Sequence, residues 1–260
     1  MKITLIGAGN LATNLGKALF HAGHEILQVY SRTNESAEPL AAVLNSQPIV
    51  DLSLLNPQAD VYVIAVKDSV LRQLLPDVCA VNPDAVFAHT AGSMPMDCFK
   101  DIAVHYGVFY PMQTFSKSRE VDFSVIPCFL EASDEKTAHT LQTMAESVSH
   151  DVRFLSSVQR KYMHLAAVFA CNFTNHCYAL AEKVLTMCDV PFQVLLPLID
   201  ETAAKVHDLP PRMAQTGPAV RYDTNVIDAQ AQLLADDSNL KQIYEQLSKS
   251  IHQTTIEEND

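Results

Sequence analysis

Residues 3–19 of the chain read ITLIGAGNLATNLGKAL, and the order of residue types in this stretch indicates the kind of fold. It begins as a short strand, continues with small residues and ends as a helix whose leucines Leu11, Leu15 and Leu19 share one stripe. A strand, a glycine turn and an amphipathic helix in this order are typical of the first unit of a parallel α/β sheet.

The turn carries the pattern Gly7-x-Gly9-x-x-Ala12. In dinucleotide-binding folds the first glycine permits a tight turn, the second lets the backbone approach a pyrophosphate, and the third small residue lets the helix pack closely. The phosphate then accepts hydrogen bonds from free N–H groups at the helix N-terminus. A tight turn without a ligand is the alternative. We predict that a cofactor phosphate binds Gly7, Gly9, Asn10, Leu11 and Ala12.

Apolar runs and helical segments alternate through the first half of the chain. Strands are predicted at 3–6, 26–30, 61–66 and 85–88, and shorter ones at 107–110, 128–131 and 152–155. After residue 155 only helices are predicted, and the first runs from Ser156 to about Met187. The predicted fold class is α/β, with a Rossmann doubly wound, mostly parallel sheet followed by an all-helical C-terminal domain.

Composition limits the classes of partner. The 260 residues include 30 acidic and 18 basic ones, for a net charge of −12, which disfavours nucleic acid and anionic lipid as partners. The longest uncharged run, 162–181, contains histidines and asparagines and is too polar to span a bilayer. Six scattered cysteines without a CxxC pair predict reduced thiols in a cytoplasmic protein, without a metal site. Because the first strand starts at Lys2, no signal peptide is expected.

The end of the second strand indicates which dinucleotide binds. NAD-binding domains place an acidic residue there to hold the ribose hydroxyls, but this strand ends VYSRT, residues 29–33. Ser31, Arg32 and Thr33 offer two hydroxyls and a guanidinium, which would pair with a 2′-phosphate. NADP is therefore the predicted cofactor; the alternative is that Arg32 is an ordinary surface arginine.

Polar residues follow two further strands, at the edge where ligands of such sheets bind. Val66 and Lys67 follow one strand, and His89 and Thr90 follow the next. We predict that they border the nicotinamide, and His89 is also a candidate catalytic group. An exposed lysine and a histidine bonded to backbone are equal alternatives. Gly92 indicates either a close approach or a turn.

The long predicted helix carries His164, Asn172 and His176 inside an apolar run. Helical spacing places them on one broad face, and buried polar groups need partners, so they meet either other polar groups or a ligand-filled cleft. Further on, Arg221 is a candidate clamp for a substrate carboxylate. A structural pair with Asp223 is the alternative.

Several motifs together resemble a bacterial Rossmann-like family described as NADP oxidoreductases with a helical C-terminal domain of undefined function. They are GAGNLA, YSRT, VIAVKDS, HTAGS, GVFYPMQTFS, YMHLAAVFACNF and TGPAVRYD. The wider relatives are pyrroline-5-carboxylate reductases, β-hydroxyacid dehydrogenases and deazaflavin-dependent NADP reductases. The resemblance implies an N-terminal NADP domain and often a dimer through the helical domain. The catalytic lysine that β-hydroxyacid dehydrogenases carry four residues before an asparagine has no counterpart, since Val168 stands there.

The sequence thus predicts an NADP-dependent oxidoreductase that transfers a hydride to or from a small substrate in a cleft between the domains. Residues 1–155 are predicted to bind NADP, and residues 156–260 to bind substrate and form a homodimer. His164 is the predicted proton donor, because the ordinary pKa of histidine lies near neutrality, and Asn172 and Arg221 are predicted to face the substrate. The alternative is a catalytically inactive NADP-binding sensor or scaffold.

Overall fold

The computed structural model describes residues 1–256 and contains one eight-stranded sheet. The strand order is β3-β2-β1-β4-β5-β6-β7-β8, and all neighbours are parallel except β6 and β7. The strands are β1 (Lys2–Ile6), β2 (Glu25–Tyr30), β3 (Gln47–Ile49), β4 (Val61–Ile64), β5 (Val86–His89), β6 (His105–Pro111), β7 (Cys128–Ala132) and β8 (Val152–Phe154).

α-Helices connect four pairs of consecutive strands and form most of the described chain after β8. They are α1 (Asn10–His21), α2 (Asn34–Val43), α3 (Asp68–Cys79), α4 (Glu135–Glu146), α5 (Ser157–Ala167), α6 (Thr174–Thr186), α7 (Leu196–Asp208), α8 (Pro211–Ala214), α9 (Pro218–Arg221), α10 (Thr224–Leu233) and α11 (Ser238–Ile256). A π-helical segment, Val168–Phe173, lies between α5 and α6 in sequence.

The sheet is buried on both faces, as its near-continuous apolar strands predict. On one face Leu5, Val63 and Phe109 pack with side chains of α1, α2 and α4. On the other face Tyr62 and Phe87 pack with side chains of α3. A smaller apolar cluster on β6 and β7 packs against α5.

The chain divides into two compact units, Met1–Asn172 and a second one that begins at Phe173. The first contains the sheet and α5. In the second, α10 and α11 bury Ile227, Ala231 and Leu240. Between Phe173 and Ile256 no residue belongs to a strand. Within residues 1–256, no helix combines the length and apolar character that crossing a membrane requires.

The predicted fold class is confirmed, with two local differences. No bounds were predicted for the short β3 or for α3, which contains Pro76. The single helix predicted from Ser156 to Met187 is divided by the π-helical segment. A domain boundary at residue 155 remains a prediction, because the division by contacts groups α5 with the sheet.

Candidate cofactor and active site

The glycine turn after β1 has the geometry that the motif requires. Gly7 has φ +124°, and a Cβ on it would lie 2.3 Å from the carbonyl oxygen of Ala65. Its N–H donates to the carbonyl of Tyr30 at 2.8 Å. Gly7 therefore lets the loops after β1, β2 and β4 meet at the carboxyl edge of the sheet. Ala12, with no exposed surface, packs α1 onto the sheet.

Gly9 faces open space. It is the N-cap of α1, no side chain caps the helix, and a Cβ placed on Gly9 would meet no atom within 4 Å. Gly9 and Asn10 are exposed and Leu11 is half-buried. The N–H groups of this first turn are thus available to an anion, and the helix dipole favours a negative charge there. The site fits the pyrophosphate of a dinucleotide.

The loop after β2 presents the groups predicted to select the 2′-phosphate. Arg32 and Thr33 are exposed and Ser31 is half-buried. The N–H of Ser31 donates to Ile49 at 3.1 Å, which ties the loop to β3. Thr33 is the N-cap of α2, and its hydroxyl lies 3.3 Å from that of Ser36. No acidic residue stands at the tip of the strand, so this geometry suits NADP.

The loops after β4 and β5 lie side by side. Lys67 is exposed and is the N-cap of α3, and Val66 before it is half-buried. Thr90 is buried and its N–H donates to the carbonyl of Ile64 at 3.2 Å. The hydroxyl of Ser93 donates to the carboxylate of Asp68, which joins the two loops.

His89 lies inside the first unit instead of at its surface. It has no exposed surface, and its ring stacks on Phe99 with centroids 5.7 Å apart. Its Nδ1 accepts a hydrogen bond from the N–H of Ala91 at 3.1 Å. Burial, assisted by the positive charge of Arg160, lowers the pKa of His89 to about 3, so the ring is neutral. This placement argues against its predicted contacts with nicotinamide or substrate.

His164 meets a partner that the sequence did not indicate. Its Nδ1 lies 3.0 Å from the hydroxyl of Tyr110, near the end of β6, and the rings meet edge to face. A Cβ on Gly92 would lie 2.6 Å from this Nδ1. Of the two interpretations of Gly92, a close approach or a turn, the structure shows a close approach, made by the His164 side chain.

One turn before His164, Arg160 holds α5 against the sheet. Arg160 is 1% exposed and pairs with Glu131 of β7; it also donates to the carbonyl of Met94 at 2.6 Å. Glu131 accepts further hydrogen bonds from the N–H and the hydroxyl of Ser157, at 2.8 and 2.7 Å. This network was not predicted from the sequence. The one sequence signal for it is the spacing of four residues between Arg160 and His164, which places both on one face of a helix.

The other residues predicted to face the substrate lie on other elements of the chain than α5. Asn172 is exposed and lies in the π-helical segment, where the 3.6-residue period used to place it does not hold. His176, in the second unit, is also exposed. Arg221 ends α9 and is exposed, and within residues 1–256 it forms no ion pair with Asp223. The predicted contacts of Asn172 and Arg221 with substrate remain predictions.

A mostly parallel sheet with an uncapped helix N-terminus at its carboxyl edge is the arrangement of the Rossmann class of dinucleotide-binding proteins. Residues 2–87 match the family "NADP oxidoreductase coenzyme F420-dependent", and residues 126–251 match a domain of unknown function, DUF2520. A "putative NADP oxidoreductase" from Bacteroides fragilis is 54% identical, with 97% of this chain and 98% of that one covered and a TM-score of 0.93. The chain belongs to this family of NADP oxidoreductases. The predicted enzyme class and NADP cofactor are confirmed.

More distant structures share the fold. A Thermotoga maritima protein is 22% identical, with a TM-score of 0.81 and 97% and 99% of the two chains covered. An imine reductase from Myxococcus stipitatus in complex with NADP+ is 15% identical, with a TM-score of 0.71 and 99% and 93% covered. A comparison with curated proteins found no match.

Proposed function

We propose that the protein transfers a hydride between NADP(H) and a small substrate that binds next to His164. The observation that carries the proposal is the pairing of two features at the carboxyl edge of one sheet. One is the open, uncapped N-terminus of α1 beside Gly9. The other is the imidazole that Tyr110 holds near the end of β6.

In this proposal the chain binds the cofactor through three loops. The N–H groups after Gly9 bind the pyrophosphate, because they are free and lie at the positive end of a helix. Ser31, Arg32 and Thr33 bind the 2′-phosphate. Val66, Lys67 and the backbone at Thr90 border the nicotinamide ribose, and the bound cofactor supplies the hydride.

His164 acts on the substrate. Hydride addition to a carbonyl or imine carbon leaves electron density on the oxygen or nitrogen, which needs a proton or a hydrogen bond. His164 is the half-buried histidine of the first unit that lies on a helix held by a buried ion pair, and a rigid element fixes a donor better than a loop does. Asn172 and Arg221 remain candidates for orienting the substrate.

The test is NADPH oxidation across ketones, imines and an oxidised deazaflavin, the last chosen because the family model names a deazaflavin coenzyme. With the substrate found, His164→Ala should lower turnover by about 10²–10⁴-fold and change NADPH affinity by less than about 2-fold. His139→Ala, at an exposed position on α4, is the control. Turnover within about 3-fold of wild type would remove His164 from the mechanism. The inactive-sensor alternative has no support from the comparisons.

We also propose that the protein is a homodimer through its helical part. Large apolar side chains of the second unit are exposed in a single chain, namely Val184, Val194, Leu196, Leu198, Val206 and Leu209. Where such side chains adjoin, they form the kind of apolar patch that proteins in water seldom leave uncovered, and symmetric pairing is the commonest way to cover it.

Light scattering should report twice the chain mass for the wild type. Leu198→Glu should yield a monomer, whereas Leu54→Glu, similarly exposed on the first unit, should not. A monomeric wild type would refute the proposal.

A further inference from the structure

The contact between Tyr110 and His164 fixes one end of the imidazole. Tyr110 is 8% exposed, and its hydroxyl lies 3.0 Å from Nδ1 of His164. Gly92 packs against both rings. A Cβ on it would lie 3.0 Å from the Tyr110 ring and 2.6 Å from Nδ1 of His164. Nδ1 is therefore occupied, and Nε2 is the ring nitrogen left for a ligand.

The spacing of residues along β6 matches the spacing of their partners along α5. In the antiparallel pair β6–β7, Val108 lies opposite Glu131 and Tyr110 lies opposite Phe129. Two residues along a strand advance about 6.6 Å, and four residues along a helix advance about 6 Å. Arg160 thus meets Glu131 at one level, and His164 meets Tyr110 one level further along.

The direction of the hydrogen bond follows from the two groups. Burial raises the pKa of Tyr110, so the phenol keeps its proton at neutral pH. A neutral imidazole has one nitrogen that donates and one that accepts, and the bond made by one nitrogen decides which. Among residues 1–256, His164 is the hydrogen-bond partner recorded for this hydroxyl. A buried phenol proton needs an acceptor, and the arrangement that satisfies it through this contact has the O–H donating and Nδ1 accepting.

We propose that Tyr110 is a positioning residue that holds neutral His164 in the tautomer protonated at Nε2. The proposal rests on the proposed function, in which His164 faces the substrate. His164 then acts as a neutral hydrogen-bond donor to the atom that gains electron density. The substrate class that this donor suits has a free lone pair on that atom, as a carbonyl or a neutral imine has and an iminium cation does not.

The test is ¹⁵N NMR of the full chain labelled at histidine, above pH 7.5, with the His164 signals assigned by their loss in His164→Ala. The expected result for wild type is a proton on Nε2 and a bare Nδ1. In Tyr110→Phe the ratio of the two tautomers should shift toward Nδ1–H by about 2- to 12-fold, the factor that one ordinary hydrogen bond supplies. Tyr106→Phe, on the same strand but without this contact, should leave the ratio unchanged.

Wild-type His164 protonated at Nδ1 would overturn the inference, and this result needs no variant to fold. An unchanged ratio in folded Tyr110→Phe would also overturn it. A different result would refute the proposed function. If wild-type His164 has the expected tautomer but His164→Ala keeps full turnover, the tautomer is supported and the catalytic role of His164 is refuted. A large loss of turnover in His164→Ala with a proton on Nδ1 in wild type refutes the inference alone.

Discussion

Replacing Glu131 by Gln should destabilise the first unit strongly. Within residues 1–256, buried Arg160 contacts Glu131, the carbonyl of Met94 and the hydroxyl of Ser157, and among these only Glu131 carries a negative charge. Gln keeps the volume of the side chain and an oxygen that can accept from Ser157. What is lost is the charge, since the guanidinium is 1% exposed and cannot regain water without moving α5.

The expected cost is about 3–5 kcal/mol, the range for breaking one side of a buried ion pair. This is a large part of the 5–15 kcal/mol that typically stabilises a folded domain. An exposed pair gives the contrast. Arg153 and Asp151 are joined at 2.6 Å, but Arg153 is 66% exposed, and losing such a pair costs about 1 kcal/mol or less.

Urea unfolding followed by far-UV circular dichroism measures both variants, Glu131→Gln and the control Arg153→Met. The double variant Arg160→Met/Glu131→Gln should recover part of the loss, because no charge is then left unpaired. Hydrogen exchange of the α5 amides provides a local reading, since a chain of two units need not unfold in one step. Equal costs for Glu131→Gln and Arg153→Met, or strict additivity in the double variant, would show that the pair does not hold α5.

Three further outcomes are expected. Arg32→Ala should weaken NADP(H) by roughly 10- to 150-fold, the value of a charge-assisted pair, and leave NAD(H) nearly unchanged; equal losses in calorimetry would exclude contact with the 2′-phosphate. Gly92→Ala should displace the His164 ring, because the new Cβ would lie 2.6 Å from Nδ1, and so lower turnover without changing NADPH affinity; unchanged kinetics would contradict this. His89 has a pKa of about 3 in the fold and about 6.5 in the unfolded chain, so its contribution to stability is complete above pH 6.5 and is lost as the pH falls toward 3. His89→Asn should flatten this loss when urea midpoints are compared at pH 7 and 5, and an equal slope would show that another group is responsible.

The cofactor half of the site could be predicted because its signal is local. Gly7, Gly9 and Ala12 act within one strand, one turn and one helix, and each position has a steric reason that the sequence shows directly. The absence of an acid before Arg32 is likewise local. Predicting the role of these residues requires no knowledge of which strands pair.

The other half depends on contacts between distant parts of the chain. Arg160 and Glu131 are 29 residues apart, and Tyr110 and His164 are 54 apart. Their meeting requires the antiparallel register of β6 and β7, which no local pattern reveals. The burial of His89 could have been predicted from the sequence, because His89 directly follows the apolar residues of a strand that is buried on both faces. The helix face assigned to Asn172 rested on a period of 3.6 residues, which the π-helical segment changes.

The two edges of the sheet have a consequence for how the protein behaves when it is concentrated. Both edge strands, β3 and β8, are only three residues long. Pro48 in the middle of β3 has no N–H to donate, and exposed Arg153 occupies the middle of β8. Short edges carrying proline or charge offer few groups on which a strand from another molecule can pair. The long, highly apolar sheet is therefore protected from edge-to-edge aggregation by the two strands that contribute least to its core.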